Sequence, residues 1–225
     1  GASVPVASDI AYFDINSNDC TITATVSVAG IDTTGFTNTI TQNAFAITVG
    51  ASGINWVSGT FSGSTSTITS NGGFIQSGGI FTATSGTFTT SGIITFSAGT
   101  FNPNNGTVNI NGVSTITSGN FYRLTLAING IVTITNNTIV NNNFTISSII
   151  TLNGDAIEAK GNIIFTDTSW NGSSKIIVNG TGTQSFTGSG VCGVTMDVNK
   201  LSGVVSLGSN RTFLGATVDL NLIAG

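Results

Sequence analysis

The chain contains no histidine. That absence removes Ser-His-Asp and Cys-His catalysis, histidine-ligated metals and an imidazole pH switch. Charge is nearly missing as well: Asp, Glu, Lys and Arg make up 6% of the 225 residues, where an ordinary soluble domain carries about 25%. The five cations, Arg123, Lys160, Lys175, Lys200 and Arg211, are too few to track a phosphate backbone, and a net charge of −4 repels one. Nucleic acid is therefore excluded as a partner. Proline occurs only at Pro5 and Pro103. Two cysteines, Cys20 and Cys192, say nothing about redox compartment. No apolar run approaches the roughly 18 residues that a membrane-spanning helix needs, so no membrane insertion is expected despite 39% hydrophobic residues.

What is present is Gly, Thr, Ser and Asn, with 14 Phe and many Ile and Val alternating with hydroxyl residues. That alternation can bury a β-sheet core, which a disordered segment cannot. A repeat is visible in it. Phe61, Phe81, Phe101 and Phe121 share one spacing, each preceded two positions earlier by Gly59, Gly79, Gly99 or Gly119. Gly72, Gly92 and Gly112 keep the same period, as do Ile68, Phe88 and Val108. Asn109-Ile-Asn-Gly-Val-Ser-Thr-Ile-Thr returns as Ala127-Ile-Asn-Gly-Ile-Val-Thr-Ile-Thr, and after about residue 137 the recurrence loosens. Such a period, without helical stripes or a leucine-rich pattern, predicts an all-β parallel β-solenoid with coils of about 20 residues. Phe, Ile and Val would face inward as an aromatic ladder, Thr and Ser outward, and Gly would turn the corners. The alternative is an antiparallel β-sandwich, because Asn-Gly, a hairpin signal, recurs at Asn71, Asn105, Asn111, Asn129, Asn153, Asn171 and Asn179. Residues 1–50 are less regular and are expected to form an opening or capping region. Residues 51–225 would be repeat coils of the same continuous domain.

Residues 4–31, from Val4-Pro-Val-Ala-Ser-Asp-Ile-Ala-Tyr-Phe-Asp through Thr21-Ile-Thr-Ala-Thr-Val-Ser-Val-Ala-Gly-Ile, resemble the leading segment of large β-solenoid surface proteins. The Ser-Gly-Thr-Phe units and Val178-Asn-Gly-Thr-Gly-Thr-Gln-Ser-Phe-Thr are similar to the repeats of autotransporter-associated and giant adhesin-like bacterial proteins, some related to phage fibres. The resemblance implies a passenger, stalk or fibre on a cell or virion surface. It transfers no catalytic residue. The start at Gly1-Ala2-Ser3 and the strand-like Val218, Leu220 and Leu222 just before Gly225 suggest a piece of a longer polypeptide.

Several side-chain groups merit testing. Asp155 with Glu158 is the one close carboxylate pair of the central and C-terminal part, and Lys160 is the nearby base that a polysaccharide lyase or hydrolase would want; a solvated loop explains all three as well. Asp14, Asn16 and Asn18 echo the first half of a calcium loop, but Asp19 stands where Gly is needed and Thr25 where Glu is needed. An Asn/Asp turn accounts for the same residues. Thr67, Thr69, Thr87, Thr89, Thr107 and Asn109 would form an outward ladder resembling an ice-binding face, or serve simply as uncharged strand exterior. Cys20 and Cys192 are expected to be free, unpaired with each other, and Trp56 and Trp170 to be packing residues rather than sugar platforms. Six N-x-Ser/Thr sequons, at Asn105, Asn136, Asn143, Asn171, Asn179 and Asn210, are what the composition supplies by chance.

The expectation is a non-enzymatic structural segment of an extracellular surface fibre, stalk or adhesin, with no cofactor. Its partners would be copies of itself or the remainder of its polypeptide, with a glycan or other surface ligand possible. The alternatives are an ice- or glycan-binding face, a strand-donating filament subunit, or a depolymerase.

Overall fold

Short runs in which Phe, Ile or Val alternates with Thr or Ser form strands, and Gly and Asn interrupt them before any strand exceeds 11 residues. The computed structural model describes residues 5–167, 171–208 and 220–222, the last three by backbone pairing alone. Among these residues there is no helix. Every strand pairing is parallel, which excludes the antiparallel sandwich and gives a β-solenoid with coils of about 20 residues. The chain forms two compact units, Gly1–Asn109 and Ile110–Gly225.

In the first unit the strands are β1 (Ile10–Tyr12), β2 (Cys20–Thr21), β3 (Val26–Asp32), β4 (Thr39–Thr41) and β5 (Ile47–Trp56). They continue with β6 (Thr60–Ser62), β7 (Ile68–Ser70), β8 (Phe74–Thr82), β9 (Thr87–Thr90) and β10 (Ile94–Asn102). Each coil contributes to three strand columns, so the unit has three sheet faces. The first column stacks Ala11, Ile31, Ile54, Phe74 and Ile94. The second stacks Cys20, Ile40, Phe61, Phe81 and Phe101. The third stacks Val26, Ile47, Ile68 and Phe88. The Phe61 and Phe81 rings lie parallel at 4.6 Å and those of Phe81 and Phe101 at 6.1 Å, the ladder that the repeat predicts. Trp56 closes its side edge-on, 5.8 Å from Phe61 and 5.3 Å from Phe81.

Two glycine columns serve different needs. Gly59, Gly79 and Gly99 all have φ between 61° and 86°, the left-handed corner that a Cβ disfavours. Gly72 does not; a Cβ there would fall on the Ala51 carbonyl of the coil below, so close approach is what demands glycine. In the second unit Gly119 keeps the sequence spacing, but the left-handed residue is its neighbour Ser118, at φ 66°.

The second unit repeats the plan. One column stacks Phe121, Val140, Ala159, Val178 and Val198, and another Leu124, Phe144, Ile163 and Phe186. A third carries Ser114, Val132 and Leu152. Buried glutamines hold corners by satisfying backbone groups that the ladder leaves open. Gln42 Nε2 donates to Ser66 O at 2.9 Å while its Oε1 accepts from Ser64 N at 2.9 Å. Gln184 Nε2 donates to Ala159 O and Gly161 O, and its Oε1 accepts from Gly180 N and from Lys200 Nζ.

Candidate functional site

Strand alternation sends every second residue of each column outward, and on the second and third columns of the first unit those residues are mostly threonine. On the third column Ser27, Thr48, Thr69 and Thr89 stand in register, flanked by Thr67 and Thr87. The pairing of Thr69 with Thr89 is part of the ladder that the sequence predicts, and Thr48 and Ser27 extend it below Thr69. The second column carries another grid that the sequence reading missed. One rank is Thr39, Thr60, Ile80 and Thr100, the other Thr41, Ser62, Thr82 and Asn102. The signal was available: Thr60, Ile80 and Thr100 are the variable residue of each small-Gly-x-Phe unit, and Ser62, Thr82 and Asn102 directly follow the Phe. The stacked Phe61, Phe81 and Phe101 rings lie beneath this face on the same strands.

Charge is distributed unevenly. Asp9, Asp14, Asp19 and Asp32 are the only carboxylate side chains of the first unit, no Lys or Arg accompanies them, and residues 33–122 carry no charged side chain. Asp14 forms a turn: its Oδ1 accepts from Asn16 N at 2.9 Å and from Ser17 Oγ at 3.0 Å. These bonds, the Asn16 amide first, hold its carboxyl below the usual range. Asp19 Oδ1 accepts from Thr39 N at 2.8 Å, which ties it to the coil above. The Asp14–Asp19 segment is thus occupied in turn and inter-coil bonds. At Asp32, burial works to raise the carboxyl, and hydrogen bonds from Thr34 and Asn55 outweigh it, so the carboxyl again lies below the usual range.

In the second unit Asp155 and Lys160 are exposed, while Glu158 is half-buried and accepts from Asn179 Nδ2 at 3.0 Å. Glu158 belongs to the outward rank that continues through Ile177 to Asp197. Asp197 in turn accepts from Lys175 Nζ at 2.8 Å. No group of three or more His, Cys, Asp or Glu side chains converges among the described residues. Lys200 Nζ donates to the carbonyls of Gly180 and Gly182, and burial lowers its pKa.

Both thiols are free. Cys192 is buried, donates to Val194 O at 3.2 Å, and is pushed by burial up to about 11. Burial also raises Cys20, which is half-exposed. Trp56 is 1% exposed and packs as expected; Trp170, Asn210, Arg211 and Asp219 lie outside the described residues.

One cavity stands out, with a volume of about 380 Å³, at the first coil of the first unit. It exists because the columns begin with small side chains. Ala11 sits where the following coils place Ile31 and Ile54, and Cys20 where they place Ile40 and Phe61. Its lining runs from Phe13, Ile22 and Val26 to Ile40, Ile54 and Trp56.

Compared with protein-family models, curated proteins and solved structures, the chain matches none.

Proposed function

We propose that the chain is a non-enzymatic structural segment of an extracellular surface fibre, stalk or adhesin. The observation that carries this reading is the coil stack itself. Within each unit, successive coils are hydrogen-bonded along shared strand columns over an interior of Phe, Ile and Val, so stability accumulates with every added coil. β1 pairs only with β3 and β2 only with β4 among the described residues. Such an edge fits a further coil, supplied by the same polypeptide or by a second copy. Limited proteolysis combined with single-molecule pulling tests the mechanical part. The reading requires a protease-resistant chain that yields at high force in coil-sized steps; rapid digestion with extension at negligible force would refute it. Antibody labelling of intact host cells or particles tests the location, and signal appearing only after lysis would refute surface display.

A second reading is favoured by the threonine grids. No intramolecular hydrogen bond engages the hydroxyls of Thr39, Thr41, Thr60, Ser62, Thr82 and Thr100, and the ranks from Thr39 to Thr100 and from Thr41 to Asn102 hold no charged residue, with Asp19 bordering them one coil below Thr39. A rigid grid of hydroxyl and methyl groups, repeating about every 4.8 Å between coils and 6.7 Å along a strand, suits an ordered water lattice. Ice binding would appear as thermal hysteresis that Thr82→Lys removes; no hysteresis in the unaltered chain refutes it.

A further inference from the structure

We propose that Asn71 and Asn111 are sites of spontaneous deamidation, a covalent modification that introduces negative charge into a stretch that has none. The chemistry needs a backbone N–H that reaches the carboxamide of the preceding asparagine. An Asn-Gly step offers the least hindered one, because glycine has no Cβ to shield its nitrogen. Seven such steps occur, at Asn71, Asn105, Asn111, Asn129, Asn153, Asn171 and Asn179.

The fold divides the seven. Gly106 N donates to Pro103 O at 2.9 Å and Gly130 N to Ile149 O at 3.1 Å. Gly154 N donates to Ser173 Oγ at 3.2 Å and Gly180 N to Gln184 Oε1 at 2.8 Å. At Asn171 the carboxamide itself is engaged, its Oδ1 accepting from Thr151 Oγ1 at 3.1 Å. A bonded group must open before it reacts. Among the described residues, no hydrogen bond engages the N–H of Gly72 or Gly112, or the side chain of Asn71 or Asn111, and both asparagines are exposed. Packing also keeps the first step in place, since a Cβ at Gly72 would lie 2.2 Å from Ala51 O.

In the reaction the Gly72 amide nitrogen gives its proton to hydroxide and attacks Asn71 Cγ. The N–Cγ bond forms, the Cγ–Nδ2 bond breaks, and ammonia leaves with a proton from water. Water then opens the succinimide, at the side-chain carbonyl to give aspartate or at the backbone carbonyl to give isoaspartate. Asn111 reacts likewise with Gly112. Residues 33–122 hold no charged side chain, so these events place the first carboxylates there.

The test incubates the full chain in mildly alkaline buffer, folded and in urea, and follows ammonia release and mass-mapped peptides. In the folded chain Asn71 and Asn111 should convert roughly five- to tenfold faster than the other five, the factor that one net hydrogen bond imposes. In urea all seven should react at similar rates. The double variant Asn71→Gln/Asn111→Gln, altered only at exposed positions, should keep the parent's circular dichroism and lose the early ammonia release. Three results overturn the proposal: both asparagines intact in the folded chain after the urea-treated chain has converted, equal rates at all seven steps in the folded chain, or early ammonia release that persists in the folded double variant.

Discussion

Replacing Phe81 with alanine removes the ring at the centre of the first unit's interior. Phe81 is 2% exposed and stacks on Phe61 at 4.6 Å and on Phe101 at 6.1 Å. It also meets Trp56 at 5.3 Å, Phe74 at 4.7 Å and Phe88 at 6.1 Å. Truncating a buried Phe costs about 3–5 kcal/mol, and the cost grows with how poorly the site can collapse. Here collapse is opposed from both sides. Phe61 and Phe101 sit on strands whose register is fixed by the backbone ladder, so neither can slide into the gap. Aromatic pairs contribute about 0.5–1.5 kcal/mol beyond their burial. The expected loss therefore lies at the upper end, about 5 kcal/mol, which is a large share of the 5–15 kcal/mol that holds a typical domain folded. Ile80 supplies the control. It is adjacent in sequence but faces outward and is 47% exposed, so Ile80→Ala should cost less than about 1 kcal/mol. Urea denaturation, with hydrogen exchange read over residues 60–102, measures both. A Phe81→Ala loss below about 1 kcal/mol, or one equal to that of Ile80→Ala, would refute the interior ladder.

Other consequences can be checked as directly. Gly79→Ala forces a side chain into the left-handed region and places its Cβ 2.5 Å from Gly59 O, so it should cost at least about 1–2 kcal/mol in thermal or urea unfolding. Iodoacetamide near neutral pH should modify Cys20 in the folded chain, while Cys192 reacts only on unfolding; equal rates would contradict its burial. The raised Cys192 value also has a sign. Its contribution to stability is complete below the unfolded thiol pKa and is lost as pH rises toward about 11, so Cys192→Ala should flatten the alkaline limb of the stability curve. Asp14 and Asp32 are held low in the fold. Their contribution is present above the unfolded value of about 3.9 and is lost as pH falls through the folded one, so Asp32→Asn should weaken the dependence below about pH 4.

Much of this architecture was legible because the solenoid writes its period into the chain wherever the corner loops keep constant length. Phe61, Phe81 and Phe101 fall into one column for that reason. The earlier coils obey the same columns without showing the period. Val28 pairs with Val49 and Gly30 with Gly53, so the later coil carries two extra residues in a bulge between paired positions. A spacing count registers such a bulge as irregularity, whereas the hydrogen-bonded columns absorb it. The transfer of the left-handed corner from Gly119 to Ser118 was hidden similarly, since backbone conformation moved by one position while the glycine spacing did not. Of the functional features, the third-column threonines were readable from their period. The second-column grid is concealed in the sequence because Ile80 and Asn102 interrupt its ranks, so neither repeats a single residue type at the period of the coil. The cavity needed the register: only the pairing of Ala11 with Ile31 and of Cys20 with Ile40 shows that small residues stand where large ones follow.

The central claim, a stack of parallel coils with one Phe per coil in line, is tested most directly by crystallographic measurement of the Cα separations from Phe81 to Phe61 and to Phe101. The account predicts that both lie near 4.8 Å, the spacing of neighbouring strands, with the three atoms collinear. Separations beyond about 10 Å, the spacing between packed sheets, would contradict it.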